Sequence, residues 1–452
     1  MGRMIMLTMH VGIDDTDSPR TGCTTYIASL LVDELHGYGV KFIDYPNLVR
    51  LNPNVPWKTR GNGALCLRFQ CSGEQAEKAK ETTLDIVERN SDLDHARTEP
   101  GVVFYCGEVV PDDLKSFARG AIQSVVKFAD ALKLVKKLRA EAVGFKSGRG
   151  IVGALAAVGA ALTDDHTYEL ITYRTPTNRG SSRQLNAASV LEMDKKTRPR
   201  TFNNVDPETG RILITPHGPD PILYGIRGET AGAVKQACKM IRSLEPIERW
   251  TIFRTNHGTD AHLRNVAFIR EVRAYSPVIV KGGVSKAPWI VPRRHVLFKI
   301  EDDTGEIDCA AYEPTGELRK AARQLDVGDV VEALGGVRPA SQNRPLTVNL
   351  EKINVLDLVP KVAFRNPLCR QCGKRMESMG KGQGFRCPKC GFRSSKLRRL
   401  TVKQERGLTK GLYITSPRSQ RHLTKPFCRY GLEKSGNPRS MIKEWFWVNK
   451  TL

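Results

Sequence analysis

The chain has 452 residues, room for about three domains at ~150 residues each, and 40% of them are hydrophobic and 26% charged. That balance excludes a wholly disordered or fibrous protein. Lys plus Arg number 71 against 48 Asp plus Glu, a formal net charge of +23, which points to a polyanionic partner, nucleic acid ahead of an acidic membrane surface.

The charge is unevenly placed. Residues 361–452 hold 23 Lys/Arg and 4 Asp/Glu, a net +19, which leaves +4 for the first 360. The eleven cysteines are a small fraction of the chain and four fall in a metal-type pattern, so a reducing compartment is expected rather than a disulfide framework. The apolar stretch at 4–13 runs straight into acids and does not read as a signal peptide. The longest uncharged apolar run, 150–162, falls short of the ~20 residues that span a bilayer. A cytoplasmic protein with no membrane partner is expected.

In chain order, Ile5, Leu7, Met9, Val11 and Ile13 fall on one face and Met6, Thr8, His10 and Gly12 on the other, a strand signature. The strand ends in Asp14-Asp15-Thr16-Asp17 and a turn through Gly22. A helix pattern then begins with Thr24 or Thr25 as cap and places Ile27, Leu30, Leu31 and Leu35 on one face. Residues 63–70 and 102–110 read as strands and 74–90 as a helix. The stretch 112–141 reads as two shorter helices, 150–162 as an Ala/Gly helix, 168–173 as a strand and 231–244 as a helix. Residues 198–221 are turn-dense and polar, which suits a functional loop.

From about residue 276 the texture becomes short β-runs at 278–280, 296–300, 307–311, 330–334 and 346–350, with one helix at 317–325 between the third and fourth. Five strands with that helix placement match the order of an OB-fold, a small barrel used to hold nucleic acid, and another small barrel is the alternative.

Three groups of residues carry chemistry. Cys369-x-x-Cys372 and Cys387-x-x-Cys390 are separated by fourteen residues, and each pair is followed by glycine. Four thiolates suit a closed structural zinc site, with an iron–sulfur centre as the alternative. The surrounding basic charge, with Phe385, Phe392, Tyr413, Phe427 and Tyr430 interleaved, suits phosphate neutralisation and base stacking. The second group is Asp14, Asp15 and Asp17, which would stand at a strand end opposite a helix start at Thr24-Thr25. Carboxylates are hard ligands for Mg²⁺, and free N–H groups at a helix start accept an anion; an acidic surface turn beside an ordinary cap is the bland alternative. No Walker A pattern occurs. The third group is Gly148-Arg149-Gly150-Ile151-Val152-Gly153, which fits G-x-G-x-x-G, but residues 141–147 before it do not read as a strand, so a dinucleotide fold is weakly supported. These glycines still imply close backbone approach, and Lys146 with Arg149 could place positive charge on a triphosphate. Asp206, His217 and Asp220 are candidates by loop context alone.

Together, Val-Gly-Ile-Asp-Asp-Thr-Asp-Ser at 11–18, Gly-Cys-Thr-Thr-Tyr at 22–26, Leu-Asn-Pro-Asn-Val-Pro-Trp-Lys-Thr-Arg-Gly-Asn-Gly at 51–63, the OB-like segment, the four-Cys ribbon and the basic C-terminal region resemble the archaeal tRNA(Ile) 2-agmatinylcytidine synthetase (TiaS) family over nearly the whole chain. At Met1–Met9 this sequence departs from the usual family beginning.

The resemblance implies an ATP-dependent ligase that joins agmatine to carbon 2 of the wobble cytidine in the CAU-anticodon isoleucine tRNA, so that the tRNA reads AUA. It implies Mg²⁺-phosphate carboxylates at Asp14, Asp15 and Asp17, and a phosphate-accepting Thr24 with Thr25 and Gly22 beside it. Lys146 would be the phosphate-loop lysine with Gly148 and Arg149 nearby, and Asp206 and His217 further site residues. The implied architecture is multidomain α+β. A kinase-like α/β domain (1–60 and about 125–195) is interleaved with a ferredoxin-like domain (about 61–124 and 196–272). An OB-fold (273–360) and a zinc ribbon with basic C-terminal tail (361–452) follow. The competing class is a non-catalytic OB-fold and zinc-ribbon nucleic-acid binder, which would have no use for three carboxylates opposed to a threonine pair.

Overall fold

A computed structural model of the chain describes residues 6–219, 221–438 and 440–451. The first half builds one mixed sheet. Its strands are β1 (Leu7–Asp14), β2 (Lys41–Phe42), β3 (Asn47–Arg50), β4 (Gly63–Cys71), β5 (Gly101–Cys106), β6 (Glu141–Gly144), β7 (Thr167–Arg174), β8 (Thr201–Phe202), β9 (Ile222–Gly228) and β10 (Ile247–Thr255). They lie in the order β6-β5-β1-β4-β3-β10-β7-β9-β8, with β2 also on β4. Every pairing is antiparallel except β3–β10, which joins the two halves through Asn47–Arg254 and Leu48–Thr255.

The alternation of β1 sends Met9, Val11 and Ile13 into a core against Ile27, Leu31 and Leu35 of α1 (Thr24–Gly37) and Ala76, Ala79 and Val87 of α2 (Gly73–Asn90). On the opposite face lie α3 (Asp112–Gln123), α4 (Phe128–Lys137) and α5 (Ile151–Gly159), packed on Cys66 and Val103. The stretch 112–141 thus holds the two helices expected of it. The α5 helix sits so close that a Cβ on Gly12 would stand 2.2 Å from the Ala154 carbonyl oxygen, so only glycine fits at that strand position. On the other half-sheet lie α6 (Ala187–Thr197) and α7 (Ala231–Cys238), the latter shorter than the 231–244 expected. Residues 141–144 do form a strand, contrary to the sequence reading. They pair with β5 at the sheet edge, where only the ladder to Gly101–Phe104 holds a segment of mixed polarity.

Segment 61–124, expected in the ferredoxin-like unit, contributes β4 and β5, which flank β1 on both sides. The OB-fold follows as β11 (Pro277–Val291), β12 (His295–Asp302), β13 (Gly305–Ala311), α8 (Glu317–Ala322), β14 (Val330–Arg338) and β15 (Thr347–Asp357). Closure is made by the parallel β13–β15 pairing, Asp308 to Thr347 through Ala310 to Asn349. Valines 278, 280, 296, 331 and 348, with Phe298 and Leu318, fill its interior.

A two-stranded stem, β16 (Lys361–Arg365) with β20 (Leu400–Gln404), carries the cysteine ribbon, whose short strands are β17 (Glu377–Ser378), β18 (Phe385–Arg386) and β19 (Arg393–Ser394). The region beyond it is a strap rather than a tail. β21 (Gly411–Ile414) adds to the OB sheet on β15, and β22 (Phe446–Val448) adds to the main sheet on β10. Between them Trp445 packs on Phe42 and Tyr45 in the first core. The basic charge of this segment is partly paired. Arg429, fully buried, meets Asp165 and Glu229, and Lys425 and Lys434 meet Asp165 and Glu229 respectively. Among the described residues no helix is long and apolar enough to cross a membrane.

Candidate active site

The β1 carboxylates, the start of α1 and the loop 51–63 enclose a cleft of about 590 Å³ lined by Asp14, Asp15, Asp17, Thr24, Thr25 and Arg149. Asp15 leaves the strand with φ +59°, a left-handed conformation a non-glycine residue adopts at a cost of ~1–3 kcal/mol, so the acidic turn is held by its surroundings. Arg149 holds Asp15 Oδ2 at 2.7 Å, Thr59 donates to Asp17 Oδ1 at 2.5 Å, and Arg60 Nε lies 3.3 Å from Asp17 Oδ2. Asp14 has the least compensation. Burial, then the charge of Asp15 beside it, raises its carboxyl well above the usual carboxylate range. Asp15 is also raised by burial, opposed by the Arg149 guanidinium. Proximity to α5 is the reason: the position a Gly153 Cβ would take lies 1.8 Å from Asp14 Oδ2.

The cap of α1 is Cys23, in extended conformation, and not Thr24 or Thr25, which occupy the first turn. The Cys23 side chain itself makes no capping hydrogen bond to this terminus. Thr16 donates to the Thr24 hydroxyl at 3.0 Å, and the first backbone bond to close is Ile27 N–H to the Cys23 carbonyl. The leading N–H groups of a fourteen-residue helix therefore remain for an anion at the cleft wall. Gly22 precedes the cap with φ +83°, and its carbonyl accepts from Arg60 at 3.1 Å.

Other expected residues stand outside the lining. Lys146 donates to the carbonyls of His95 and Thr98 at 2.8 and 2.9 Å, and Thr98 in turn donates to the Asp17 carbonyl, so Lys146 supports the acidic turn from behind. Gly148 (φ +73°) packs on Gly144. Asp206 is fully buried, bound to Arg418 and to the N–H groups of Glu208 and Thr209. The His217 ring contacts Arg211 at 2.6 Å, while its neighbours Pro216 and Gly218 reach the cleft. Asp220 lies outside the described residues. The glycines of the G-x-G-x-x-G stretch do approach other groups closely, Gly150 against the Gly101 backbone and Gly153 against the Asp14 side chain.

Sequence reasoning missed a buried chain of bases at the cleft floor. Arg50 Nε donates to His257 Nε2 at 2.6 Å, and His257 Nδ1 stands 3.0 Å from Glu169 Oε2. Arg227 pairs with Glu169 at 3.2 Å and reaches His422 Nδ1 at 2.8 Å, and the two imidazoles stack with centroids 5.1 Å apart. A proton on His257 Nδ1 satisfies both it and Glu169, which leaves the ring neutral. Burial accordingly pushes His257 down to about 3, against the pull of Glu169, and drives His422 well below its ordinary value. These residues lie up to 372 positions apart, from 50 to 422, so no local pattern announces them.

At the mouth, Trp57, Val125 and Phe128 are 43%, 38% and 37% exposed, an apolar platform for a flat ring. Outside the cleft, the sulfurs of Cys369, Cys372, Cys387 and Cys390 all lie within 4.8 Å of one another, with 3.5 Å between Cys369 and Cys390 and 3.4 Å between Cys372 and Cys387. Zn–S bonds of ~2.3 Å in a tetrahedron put sulfurs ~3.8 Å apart, so the donor set fits zinc. Among the described residues it is the one group of three or more potential ligands that converges so closely. Phe385, expected to stack bases, is instead 7% exposed and forms the ribbon's small core with Met376. Phe427 and Tyr430 remain exposed.

Family models match along the chain: the TiaS TCKD domain at 10–147, the TiaS FLD domain at 148–262, an OB-fold nucleic acid binding domain at 278–356 and the TiaS C-terminal zinc ribbon domain at 366–408. The isoleucine-tRNA 2-agmatinylcytidine synthetase TiaS of Pyrococcus horikoshii is 44% identical, over 93% of this chain and 97% of its own. That of Staphylothermus marinus is 41% identical over 98% of both. Among solved structures, the complex of TiaS with its isoleucine tRNA and ATP superposes with a TM-score of 0.83 at 40% identity, covering 94% of this chain and 97% of that one. The complex of TiaS with the same tRNA, AMPCPP and agmatine gives 0.81 at 37% identity with the same coverage. From its acidic turn to its zinc ribbon, the chain belongs to the TiaS family of isoleucine-tRNA 2-agmatinylcytidine synthetases.

Proposed function

We propose that this cleft conjugates agmatine to carbon 2 of the wobble cytidine of the CAU-anticodon isoleucine tRNA at the expense of ATP. The observation that carries the reading is the juxtaposition, in one cleft, of an uncapped helix start, three carboxylates and an apolar platform. Phosphate, metal and base each have a chemically suitable wall. A non-catalytic OB-fold binder is not favoured, since membership of the family spans the catalytic half as well as the OB and ribbon parts.

The cytosine C2 oxygen is a poor leaving group until it carries a phosphoryl group from ATP. The agmatine amine then adds at C2, loses its proton and expels phosphate. Asp14, Asp15 and Asp17 are the residues to hold Mg²⁺, which would neutralise charge on the phosphates. The first-turn N–H groups at Thr24 and Thr25 receive phosphate oxygens, with the Thr24 hydroxyl as phosphate acceptor and Gly22 shaping the approach. Arg149 orients Asp15, and Lys146, through the 95–98 loop, positions Asp17. Asp206 and His217 flank the loop whose Pro216 and Gly218 close one side. The four thiolates hold zinc as a brace for the ribbon.

The OB-fold and ribbon extend the RNA surface, and a cytoplasmic reaction belongs to this reading, supported by its tRNA substrate. For the domain division, a catalytic lobe around β1 and α1 and a second lobe around β7 and β10 meet at the β3–β10 pairing. Incubation with ATP, Mg²⁺, labelled agmatine and the CAU-anticodon isoleucine tRNA tests the reading. Label should enter the RNA and vanish when the wobble cytidine is changed; no incorporation by folded, tRNA-binding protein overturns it.

A further inference from the structure

Beside the catalytic cleft lies a second chamber of about 360 Å³, formed where the loop 51–63 meets the strap. Its lining includes Arg50, Lys58, Arg60, Arg421 and His422 and no carboxylate. Arg50, Lys58, Arg60 and His422 line the catalytic cleft too, so the two spaces are continuous. Arg60 leans on Asp17, and Arg421 Nε stands 3.6 Å from Glu351. Arg50 spends its Nε on a neutral imidazole, and Lys58 donates to the Arg60 carbonyl at 2.9 Å. Because Arg227 donates to His422 Nδ1, the His422 proton sits on Nε2, which faces Gly61 at the chamber wall. The chamber is thus a convergence of four cations and an N–H donor, in which Arg60 and Arg421 each have one carboxylate partner outside the lining, and a lining of this sign attracts an anion.

We propose that this chamber takes a backbone phosphate of the RNA next to the cytidine being modified, and so fixes the depth to which the base enters the cleft. This rests on the function proposed above. Phosphate oxygen is the chemistry, and it has two possible sources, the RNA backbone or the polyphosphate of ATP. The RNA source is favoured because nucleotide polyphosphate travels with Mg²⁺ and needs carboxylates, which line the catalytic cleft at Asp14, Asp15 and Asp17 and are absent from this chamber's lining. A phosphodiester needs none, and guanidinium and ammonium groups recognise it directly. A nucleotide drawn out of its stack must also bring its own phosphate alongside the pocket, and the chamber adjoins the pocket through the shared Arg50, Lys58, Arg60 and His422.

The test compares the full-length wild type with Arg421→Gln and Lys58→Gln. Binding of the isoleucine tRNA is titrated over a salt series, alongside the KM for ATP. Each variant should bind tRNA about tenfold more weakly at moderate salt, and the slope of log K against log salt should fall by about 0.7 for one phosphate no longer neutralised, while the KM for ATP of Arg421→Gln, outside the catalytic lining, stays within about twofold. A tRNA with a neutral methylphosphonate beside the wobble cytidine should weaken binding to the wild type but cost Arg421→Gln no more, the non-additivity expected of two halves of one interaction. Arg421→Lys should restore most of the slope. An unchanged slope in both variants, a raised KM for ATP with intact tRNA binding, or additive losses on the neutralised RNA would each overturn the proposal. Lys58→Gln leaves the strap untouched and keeps the result decisive if Arg421→Gln fails to fold. The binding arms need no turnover, so wild type that binds tRNA but never incorporates agmatine defeats the proposed function separately.

Discussion

Gly153 stands directly against Asp14: a Cβ added to it would sit 1.8 Å from the carboxylate oxygen Oδ2, closer than two non-bonded atoms can be. The helix α5 is thereby a mould for the acidic turn. Gly153→Ala should drive Asp14 out of place and lower agmatine incorporation by about 10²-fold, the cost of an ångström-scale misplacement. Affinity for tRNA should change by less than about threefold. Steady-state kinetics beside a tRNA binding isotherm checks this, and a variant with wild-type turnover would remove Asp14 from the reaction.

Acid should unfold the protein through its buried neutral histidines. His10 is 3% exposed, held between Arg68 and the Gly107 carbonyl, and burial lowers it from 6.5 to about 4. Between these two values the unfolded chain binds the proton and the folded one does not, so stability falls as pH drops from about 6.5 to 4. That single group amounts to about 3 kcal/mol, and His257 and His422 act in the same direction. Urea midpoints measured from pH 7 to 4.5 should decline, less steeply in His10→Gln; a flat profile would contradict the burial argument.

Zinc should be separable from catalysis of ATP chemistry. Cys387→Ser or a strong chelator should release close to one equivalent of metal, since four thiolates within 4.8 Å form one site. The ribbon's core is only a few residues, Met376 and Phe385 chief among them, so it should lose its structure while the main sheet keeps its melting transition. Affinity for tRNA should drop by about tenfold. Metal analysis with circular dichroism and a binding titration reads all three.

The strap should be a structural member of the catalytic body. Trp445 is 6% exposed, its carbonyl accepts from Ile252 at 2.8 Å, and its ring meets Phe42 and Tyr45 edge-on. Trp445→Ala should cost about 3–5 kcal/mol, visible as a lower denaturation midpoint. A midpoint unchanged from wild type would mean that the strap merely rests on the sheet.

Much of this was legible from sequence because its signals are local. The β1 alternation ending in Asp14, the cysteine spacing, the paired helices at 112–137 and the OB order each occupy one continuous stretch. What could not be read is relational. Arg50, Glu169, Arg227, His257 and His422 meet only because β3 pairs with β10, β10 with β7 and β7 with β9, while the strap returns over them. Phe385 misled because an aromatic beside basic residues reads as a stacking surface, whereas a ribbon this small needs it as core. Lys146 likewise carries the expected charge but points at backbone carbonyls.

The strap also orders events during synthesis. Residues 421–448 are translated after everything they complete: His422 closes the wall of both chambers, Trp445 seals the first core, and β22 pairs with Arg249–Thr251 of β10. Domains fold largely as they emerge, so a nascent chain presents its carboxylates, its OB barrel and its ribbon before the site has its final wall. A chain ending before residue 421 would lack His422 from the walls of both spaces and Trp445 from the first core, so its cleft would be incompletely walled.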